Sequence, residues 1–291
     1  MEFNEYGSIP EMDKLVDSLY YEDRCKAAQQ GYGLDRLVDD KRWIVRVEVA
    51  KQGRDKDLDV LVNDKEWNIR VAVAMHGRDK DLDALINDDQ WNVRVAVARC
   101  GRPQDLDVLV RDKDGDVRAA VAYCGRPQDL DKLVNDKSHW VRVAVAEQGR
   151  DKDLDVLVHD EDEYVLRKVA EKGRPQDLDI LVNDESEFVR TNVACHARPQ
   201  DLDRLVSDES HWVRVAVAKQ GRDKDLDILV HDESCWVREI VVQQGRPQDL
   251  VILANDDDTN IRKSVREYKG QHPDWNKHKD EKIKDVLQKV E

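Results

Sequence analysis

Arginine and aspartate recur along this chain at one fixed spacing, and the two could either bind anionic ligands or hold the fold together. After Arg46 an arginine recurs every 24 residues, except where Leu166 replaces it, and an aspartate stands six positions before each, as Asp64 stands before Arg70. A guanidinium group offers a planar fork of donors to a carboxylate. Because both types recur in every repeat, we interpret them as ladders of ion pairs within and between repeats. The arginines of this series are Arg46, Arg70, Arg94, Arg118, Arg142, Arg190, Arg214, Arg238 and Arg262.

Histidine and cysteine, which commonly bind zinc, share the position just before the glycine of several repeats. They are His76, Cys100, Cys124 and His196. Zinc needs each ligand about 2.0–2.3 Å away, whereas equivalent positions of neighbouring repeats lie about 8–10 Å apart. Gln52, Gln148 and Gln220 hold the same position, which indicates a tolerant surface site. The sequence therefore predicts no metal site and no cofactor.

Motifs for catalysis are missing from the sequence. It has no glycine-rich phosphate loop, no nucleophile in a known local motif and no recurring pairing of carboxylate with histidine. The carboxylates of the Asp-Leu-Asp motif, such as Asp57 and Asp59, recur too regularly to form one active site. We therefore predict that the chain is not an enzyme, and we infer no small-molecule substrate.

Aromatic residues occupy a column that changes register along the chain. Trp43, Trp67 and Trp91 stand three positions before the recurring arginine, whereas the later rings stand two positions before that place in the repeat. One helical residue rotates a side chain by about 100°, so the two sets must pack or present their rings differently. We interpret each ring as filling a gap between layers; the alternative is an exposed stripe that anchors a partner. The later rings are Trp140, Tyr164, Phe188, Trp212 and Trp236.

Departures from the repeat consensus cluster near the middle of the chain. Leu166–Arg167 and Thr191–Asn192 are two of them. A stack that tolerates uniform layers elsewhere has no structural need for such changes, so we predict that they contact a partner. Together with the aromatic column they give the candidate partner-binding residues Tyr123, Trp140, Tyr164, Arg167, Phe188, His196 and Trp212.

Each repeat carries its own start and stop for two helices. Asp64 is predicted to be the N-cap of a helix of about three turns, and Gly77 ends that helix because glycine enters the left-handed conformation without strain. Leu58, Leu61 and Val62 follow the i, i+3, i+4 spacing of a helix. The second element is therefore a short helix of α or 3₁₀ type.

The pattern Asp-x-x-x-x-hydrophobic-Arg-x-x-Val-Ala, present at Asp88, Val93–Arg94 and Val97–Ala98, resembles the leucine-rich repeat variant family. It is also similar to HEAT-type repeats, although the 24-residue length favours the former. The resemblance covers residues 34–269 and, faintly, 12–31. It implies an all-α fold, a right-handed α-solenoid superhelix in which α-helices alternate with 3₁₀ segments. Some members carry a cysteine-ligated iron–sulfur cluster, which is not carried over because only Cys25 lies near the N-terminus.

Three segments follow from the repeat pattern. Residues 1–31 are predicted to form a degenerate N-terminal cap, residues 32–269 an array of about ten layers, and residues 270–291 a capping helix. The last segment places Ile283, Val286, Leu287 and Val290 at helical spacing. Polar ends of this kind keep a solenoid soluble.

The composition limits the kinds of partner and the cellular compartment that we expect for this chain. Acidic residues outnumber basic ones by 63 to 48, for a formal net charge of −15. Phosphate contacts need clustered basic residues, so nucleic acid is disfavoured. No stretch approaches the roughly 20 apolar residues of a membrane helix, and no signal peptide is recognised. The five cysteines follow no disulfide pattern, which indicates the cytoplasm.

These observations predict a non-enzymatic protein-binding scaffold. Its curved surface is expected to bind another protein that carries basic patches. The alternative is a nucleic-acid-related protein, either an acidic mimic of DNA or an enzyme of the DNA-glycosylase type built on HEAT-like repeats.

Overall fold

The structure, a computed structural model, describes residues 9–272. This part of the chain contains 22 helices and no strand, which confirms the all-α prediction. The chain divides into two compact units, Met1–Gln148 and Gly149–Glu291, here called unit 1 and unit 2.

In unit 1, long and short helices alternate from the second helix onward. The helices are α1 (Ile9–Val16), α2 (Tyr21–Gln29), α3 (Leu34–Leu37), α4 (Trp43–Lys51), α5 (Asp55–Leu61), α6 (Trp67–Ala74), α7 (Asp79–Leu85), α8 (Trp91–Cys100), α9 (Pro103–Leu109), α10 (Gly115–Tyr123), α11 (Pro127–Leu133) and α12 (His139–Gln148).

Unit 2 continues the same alternation and begins with a short helix. Its helices are α13 (Asp151–Leu157), α14 (Glu163–Glu171), α15 (Pro175–Leu181), α16 (Glu187–Cys195), α17 (Pro199–Leu205), α18 (His211–Lys219), α19 (Asp223–Leu229), α20 (Cys235–Gln244), α21 (Pro247–Leu253) and α22 (Thr259–Gln271).

The core of each unit lies between its stacked helices. Ile69 and Val73 of α6 are fully buried, as is Leu58 of α5. Long helices of successive repeats contact one another, as α6 does with α8 in unit 1 and α16 with α18 in unit 2, and each short helix packs against adjoining long ones. This stacking confirms an α-solenoid of 24-residue repeats. The right-handed sense, which only the family resemblance implies, stays a prediction.

The short helices are α-helical. The N–H of Leu58 donates to the carbonyl of Arg54 at 3.0 Å, and the N–H of Val62 donates to the carbonyl of Leu58 at 2.9 Å. These are i to i−4 bonds, so the 3₁₀ type that the resemblance implied is wrong for this element. A proline at the first helical position, such as Pro103, suits an α-helix because its missing N–H would have no partner there.

Asp64 does not cap the long helix as predicted. Helix α6 begins at Trp67 and has Glu66 as its N-cap, without a side-chain cap bond. The Asp64 carboxylate accepts the N–H of Glu66 at 2.9 Å and so closes the turn before the helix. The N-cap prediction is wrong because Asp64 stands two residues too early, where it faces an arginine of the preceding repeat. Side-chain caps do occur where a short polar residue holds the N-cap, as at Asp114 and Ser186.

The glycines that end the long helices adopt the predicted left-handed conformation. Gly77 has φ of 68°, and Gly245 has φ of 71°. A Cβ at residue 245 would lie 1.9 Å from the hydroxyl oxygen of Tyr268, so this glycine is also required by close packing. The stop signal read from the sequence is confirmed.

The predicted caps are only partly described. In the first layer, Arg24 of α2 pairs with Asp40 (Nε to Oδ2 2.5 Å), as the recurring arginines do in later repeats. The last described helix, α22, ends at Gln271. The predicted helix with Ile283, Val286, Leu287 and Val290 lies outside the described residues, and the segment boundaries stay predictions.

Candidate partner-binding surface

The recurring arginine and aspartate form a ladder, called here the long-helix ladder. Arg46 donates to both carboxylate oxygens of Asp64 in the next repeat, at 2.6 and 2.9 Å, and to the carbonyl of Asp40 at 2.6 Å. Six of the arginines, Arg46, Arg70, Arg94, Arg118, Arg190 and Arg214, are at least nine-tenths buried, so they are not open to a ligand. The structural interpretation of these residues is confirmed. The pairs are Arg46–Asp64, Arg70–Asp88, Arg94–Asp112 and Arg118–Asp136 in unit 1, and Arg190–Asp208, Arg214–Asp232 and Arg238–Asp256 in unit 2.

Pairing sets the protonation of these aspartates. Burial alone would raise the pKa of Asp64, but hydrogen bonds from Arg46 and from the N–H of Glu66 outweigh it and hold the pKa below its ordinary value. The same balance lowers the pKa of Asp40, Asp88, Asp112, Asp136 and Asp256. The ladder therefore favours charged carboxylates.

We expect acid to weaken the fold through this ladder. A carboxyl whose pKa is lower in the folded state binds fewer protons there than in the unfolded chain. Its stabilising effect is therefore complete above the ordinary aspartate pKa of about 3.9 and is lost as the pH falls through the lowered value. Burial raises the pKa of Asp249, and this group therefore acts in the opposite direction. It is a single carboxyl group, however, against the six ladder aspartates whose pKa is lowered. Urea midpoints should fall between about pH 5 and pH 2; a midpoint that stays constant or rises would contradict this.

A second ladder joins the short helices, and the sequence analysis missed it. Arg78 donates to both oxygens of Asp81 at 2.6 and 2.8 Å and pairs with Asp59 of the preceding repeat at 2.8 Å. Asp81 is 2% exposed. An arginine after each glycine, followed three residues later by aspartate, was the available signal. The pairs are Arg54–Asp57, Arg78–Asp81, Arg102–Asp105 and Arg126–Asp129 in unit 1, and Arg150–Asp153, Arg174–Asp177, Arg198–Asp201, Arg222–Asp225 and Arg246–Asp249 in unit 2.

The long-helix ladder is interrupted in unit 2. Leu166 is buried where the series has arginine, and the side-chain carboxylate of its expected partner Asp184 accepts only the N–H of Ser186, at 2.9 Å. Among residues 9–272, no arginine or lysine pairs with Asp184. The series of arginine–aspartate pairs is therefore broken at this repeat.

Beside this interruption lies a cluster of Tyr164, Arg167 and Phe188. The guanidinium carbon of Arg167 is 5.7 Å from the ring centre of Tyr164 and 5.9 Å from that of Phe188. Arg167 is one residue beyond the ladder position, and this step of about 100° turns its side chain out of the ladder. The structure thus brings together three of the predicted partner-binding residues.

The aromatic column is exposed, which corrects the interpretation that each ring fills a gap between layers. In unit 2 the exposed fractions are 48% for Tyr164, 52% for Phe188, 51% for Trp212 and 62% for Trp236. These four residues, called here the aromatic row, stand at one position of four successive repeats. The gap-filling interpretation fails because small valine and alanine side chains already close the space between long helices. Trp236, absent from the predicted site, belongs to the row.

An acidic residue stands three positions before each ring of the aromatic row. Glu209 and Glu233 have side chains 86% and 87% exposed, although each also lies 3.3 Å from a ladder arginine. Unit 1 has mainly lysine at the same position: Lys41, Lys65, Lys113 and Lys137. This change from lysine in unit 1 to glutamate in unit 2 can be seen in the aligned repeats, but it was not predicted from the sequence. The four residues of unit 2, called here the glutamate row, are Glu161, Glu185, Glu209 and Glu233.

The remaining predicted residues are not gathered into one patch. Tyr123 and Trp140 are exposed in unit 1, at the end of α10 and near the start of α12. His196 follows the last residue of α16, and its Nδ1 lies 3.0 Å from the carbonyl oxygen of Asn192. Phe188 and His196 are eight residues apart, or roughly 12 Å along a helix. His196 is therefore apart from the Tyr164, Arg167 and Phe188 cluster.

Three residues of the histidine and cysteine column, His76, Cys100 and Cys124, contact the preceding repeat. Nε2 of His76 lies 2.8 Å from the carbonyl oxygen of Ala50 in the preceding repeat, and Sγ of Cys100 donates to the carbonyl of Ala74 at 3.2 Å. Both carbonyls lie near the ends of long helices and also accept the N–H of Gly53 or Gly77, so the side chain acts as a second donor. The position is a contact between layers, which corrects its interpretation as a tolerant surface site.

Within residues 9–272, no three histidine, cysteine, aspartate or glutamate side chains are arranged to hold a metal ion. In the same range, every helix is too short or too polar to cross a membrane.

Comparison with known proteins identifies the repeat type. No protein-family model and no curated protein matches the chain. The solved structure of a leucine-rich repeat variant, described as having a novel repetitive structural motif, matches with a TM-score of 0.61 and 28% identity over 71% of this chain and 88% of that chain.

Two other solved structures are more distant. An Escherichia coli protein, YibA, matches with a TM-score of 0.31 and 17% identity over 92% of this chain and 98% of that chain. A designed armadillo repeat protein matches with a TM-score of 0.20 and 14% identity over 89% and 97%. Scores this low support no argument. The chain is therefore an α-solenoid similar in fold to the leucine-rich repeat variant, with HEAT-type repeats a looser fit.

Proposed function

We propose that this chain is a non-enzymatic scaffold that binds another protein. The contact surface is the aromatic row of unit 2 with the adjoining glutamate row, and the partner contributes a basic segment with apolar side chains. The observation that carries this proposal is the half-exposure of four rings at one position in successive repeats.

The exposed rings support a protein partner. Burying half-exposed Tyr164, Phe188 and Trp212 would remove apolar surface from water without first rearranging the core. Tryptophan and tyrosine also contribute large binding energies at low entropic cost because they have few rotatable bonds. A row of rings on a rigid helical stack is thus prepared for binding.

The glutamate row supports a basic partner. Its side chains are exposed and stand three residues before the rings, so they can attract lysine or arginine and speed the encounter. Successive long helices are about 8–10 Å apart, and an extended chain rises about 3.3 Å per residue. A segment with a basic residue at about every third position therefore matches the row.

Nucleic acid gains no support from this arrangement. Six of the ladder arginines, which could otherwise contact phosphates, are buried and paired with aspartates. The exposed column beside the aromatic row is acidic and would repel a phosphate backbone.

A charge reversal tests the proposal. The probe, called the basic peptide, has five Lys-Leu-Ser units, which span about 50 Å when extended. We expect binding by the full chain and at least a tenfold loss of affinity in the triple variant Glu185→Lys, Glu209→Lys, Glu233→Lys, because three attractive contacts become repulsive. Fluorescence anisotropy at about 150 mM salt measures both.

Matched variants make the result specific. Lys65→Glu, Lys113→Glu and Lys137→Glu change the same position in unit 1 and should leave the affinity within about threefold, because these residues do not belong to the proposed contact surface and exposed charges outside it are screened. A duplex DNA of similar length serves as the competing ligand. Binding to DNA but not to the peptide would reject the proposal.

A further inference from the structure

Arg167 lacks the partners that other half-buried arginines have. Its Nε is buried and makes no hydrogen bond, and no ion pair involves its guanidinium group within residues 9–272. The ladder arginines, by contrast, each pair with at least one aspartate or carbonyl group. A partly desolvated guanidinium without an acceptor is unfavourable, so its retention calls for an explanation.

The next repeat has a second unpartnered polar group at the same position. Oγ1 of Thr191 is buried without a hydrogen bond, and Thr191 stands 24 residues after Arg167. Val95, Val143 and Val215 hold this position in other repeats. Polar groups thus replace valine in two successive long helices, α14 and α16, beside the first two rings of the aromatic row.

A repetitive surface has a binding problem that this cluster can solve. A basic segment could bind the glutamate row in several registers, each shifted by one repeat, with nearly equal affinity. One group that differs from its equivalents is enough to favour a single register. Arg167 differs in this way, because its positive charge is opposite to the charge of the glutamate row.

We infer that Arg167 binds a carboxylate side chain of the partner segment and thereby fixes its register. This inference rests on the proposed function. The guanidinium plane can donate two parallel hydrogen bonds to a carboxylate, while the rings of Tyr164 and Phe188 restrict its motion through cation–π contacts. A guanidinium already ordered in this way loses less entropy on binding.

Nearby charges favour a carboxylate over a phosphate. Glu161 and Glu185 flank the cluster, and Glu163 lies at its edge, where its Oε2 accepts from Ser186 Oγ at 2.8 Å. These groups repel a doubly charged phosphate more strongly than a singly charged carboxylate. The partner is therefore a mainly basic segment with one acidic residue.

A pair of peptides tests this inference. The first is the basic peptide, and the second, the acidic-site peptide, differs only by glutamate in place of its central serine. We expect the full wild-type chain to bind the acidic-site peptide about tenfold more tightly, since a bidentate charged contact is gained. In Arg167→Gln this advantage should vanish while affinity for the basic peptide stays within about twofold.

Controls separate the possible failures. Lys168→Gln removes a neighbouring cation that already pairs with Glu171 and should keep the advantage. Equal binding of the two peptides by the wild type, or an advantage that survives Arg167→Gln, would overturn the role of Arg167 and leave the proposed function intact. Tighter binding of a central phosphoserine than of glutamate would overturn the choice of carboxylate. No binding of either peptide would reject the proposed function itself.

Discussion

Replacing Asp112 by alanine is expected to lower the free energy of unfolding by about 3–5 kcal/mol, the usual cost of removing one partner from a buried ion pair. Arg94, which is 4% exposed, donates to Asp112 at 2.6 and 2.8 Å. Without the carboxylate, its charge would remain buried with only the carbonyl groups of Asp88 and Asp89 as acceptors. Urea unfolding of the variant and the wild type measures the difference.

Asp184 offers a matched control within the same chain. Like that of Asp112, its carboxylate accepts the N–H of the residue two positions later, but this carboxylate has no arginine partner because Leu166 stands in the ladder position. Asp184→Ala should therefore cost only about 1 kcal/mol, the contribution of one hydrogen bond. Introducing Leu166→Arg should make the same substitution costly, and a double-mutant cycle reports this coupling. Equal effects of Asp112→Ala and Asp184→Ala would contradict the ladder account.

The double variant Phe188→Ala, Trp212→Ala is expected to weaken binding of the basic peptide by about 100-fold or more, because each ring is a central anchor worth about 2 kcal/mol. Both rings are about half exposed, at 52% and 51%, so the fold should lose little stability. Anisotropy titration measures the affinity, and urea unfolding checks the fold.

Unit 1 provides the comparison for this experiment. Trp43 and Trp67 are 41% and 39% exposed and precede the ladder arginine by three residues instead of two. They accompany lysines, which repel a basic segment. Trp43→Ala with Trp67→Ala should leave the affinity nearly unchanged. A loss as large as that of the unit 2 variant would show that the two units do not differ as proposed.

The repeat period made the fold predictable, because every signal occurs about ten times. The stop at Gly77 and the buried face with Ile69 and Val73 follow from local chemistry, and the pairing of arginine with aspartate follows from the repeat spacing. The N-cap role of Asp64 failed because Arg46, a residue of the preceding repeat, competes for the carboxylate. Local propensity cannot anticipate a partner 18 residues away.

The binding surface was harder to predict. A ring such as Trp212 satisfies the hydrophobic pattern whether it is buried or exposed, and only the packing of neighbouring alanine and valine decides between them. The row of glutamates was visible in the register, but its meaning depends on knowing that the rings beside it face solvent. Arg167 was found from its departure from the repeat, and Tyr164 and Phe188 from the aromatic column; Trp236 belongs to the same column but was left out of the predicted site.

The central claim, that a basic segment binds the aromatic row of unit 2, is tested most directly by the tryptophan indole N–H signals in an NMR titration. The full chain, labelled with nitrogen-15, is titrated with the basic peptide. The signals of Trp212 and Trp236 should shift progressively to saturation, and those of Trp43, Trp67 and Trp91 should stay in place. Shifts confined to these unit 1 tryptophans, or saturable peptide binding that moves neither Trp212 nor Trp236, would contradict the account.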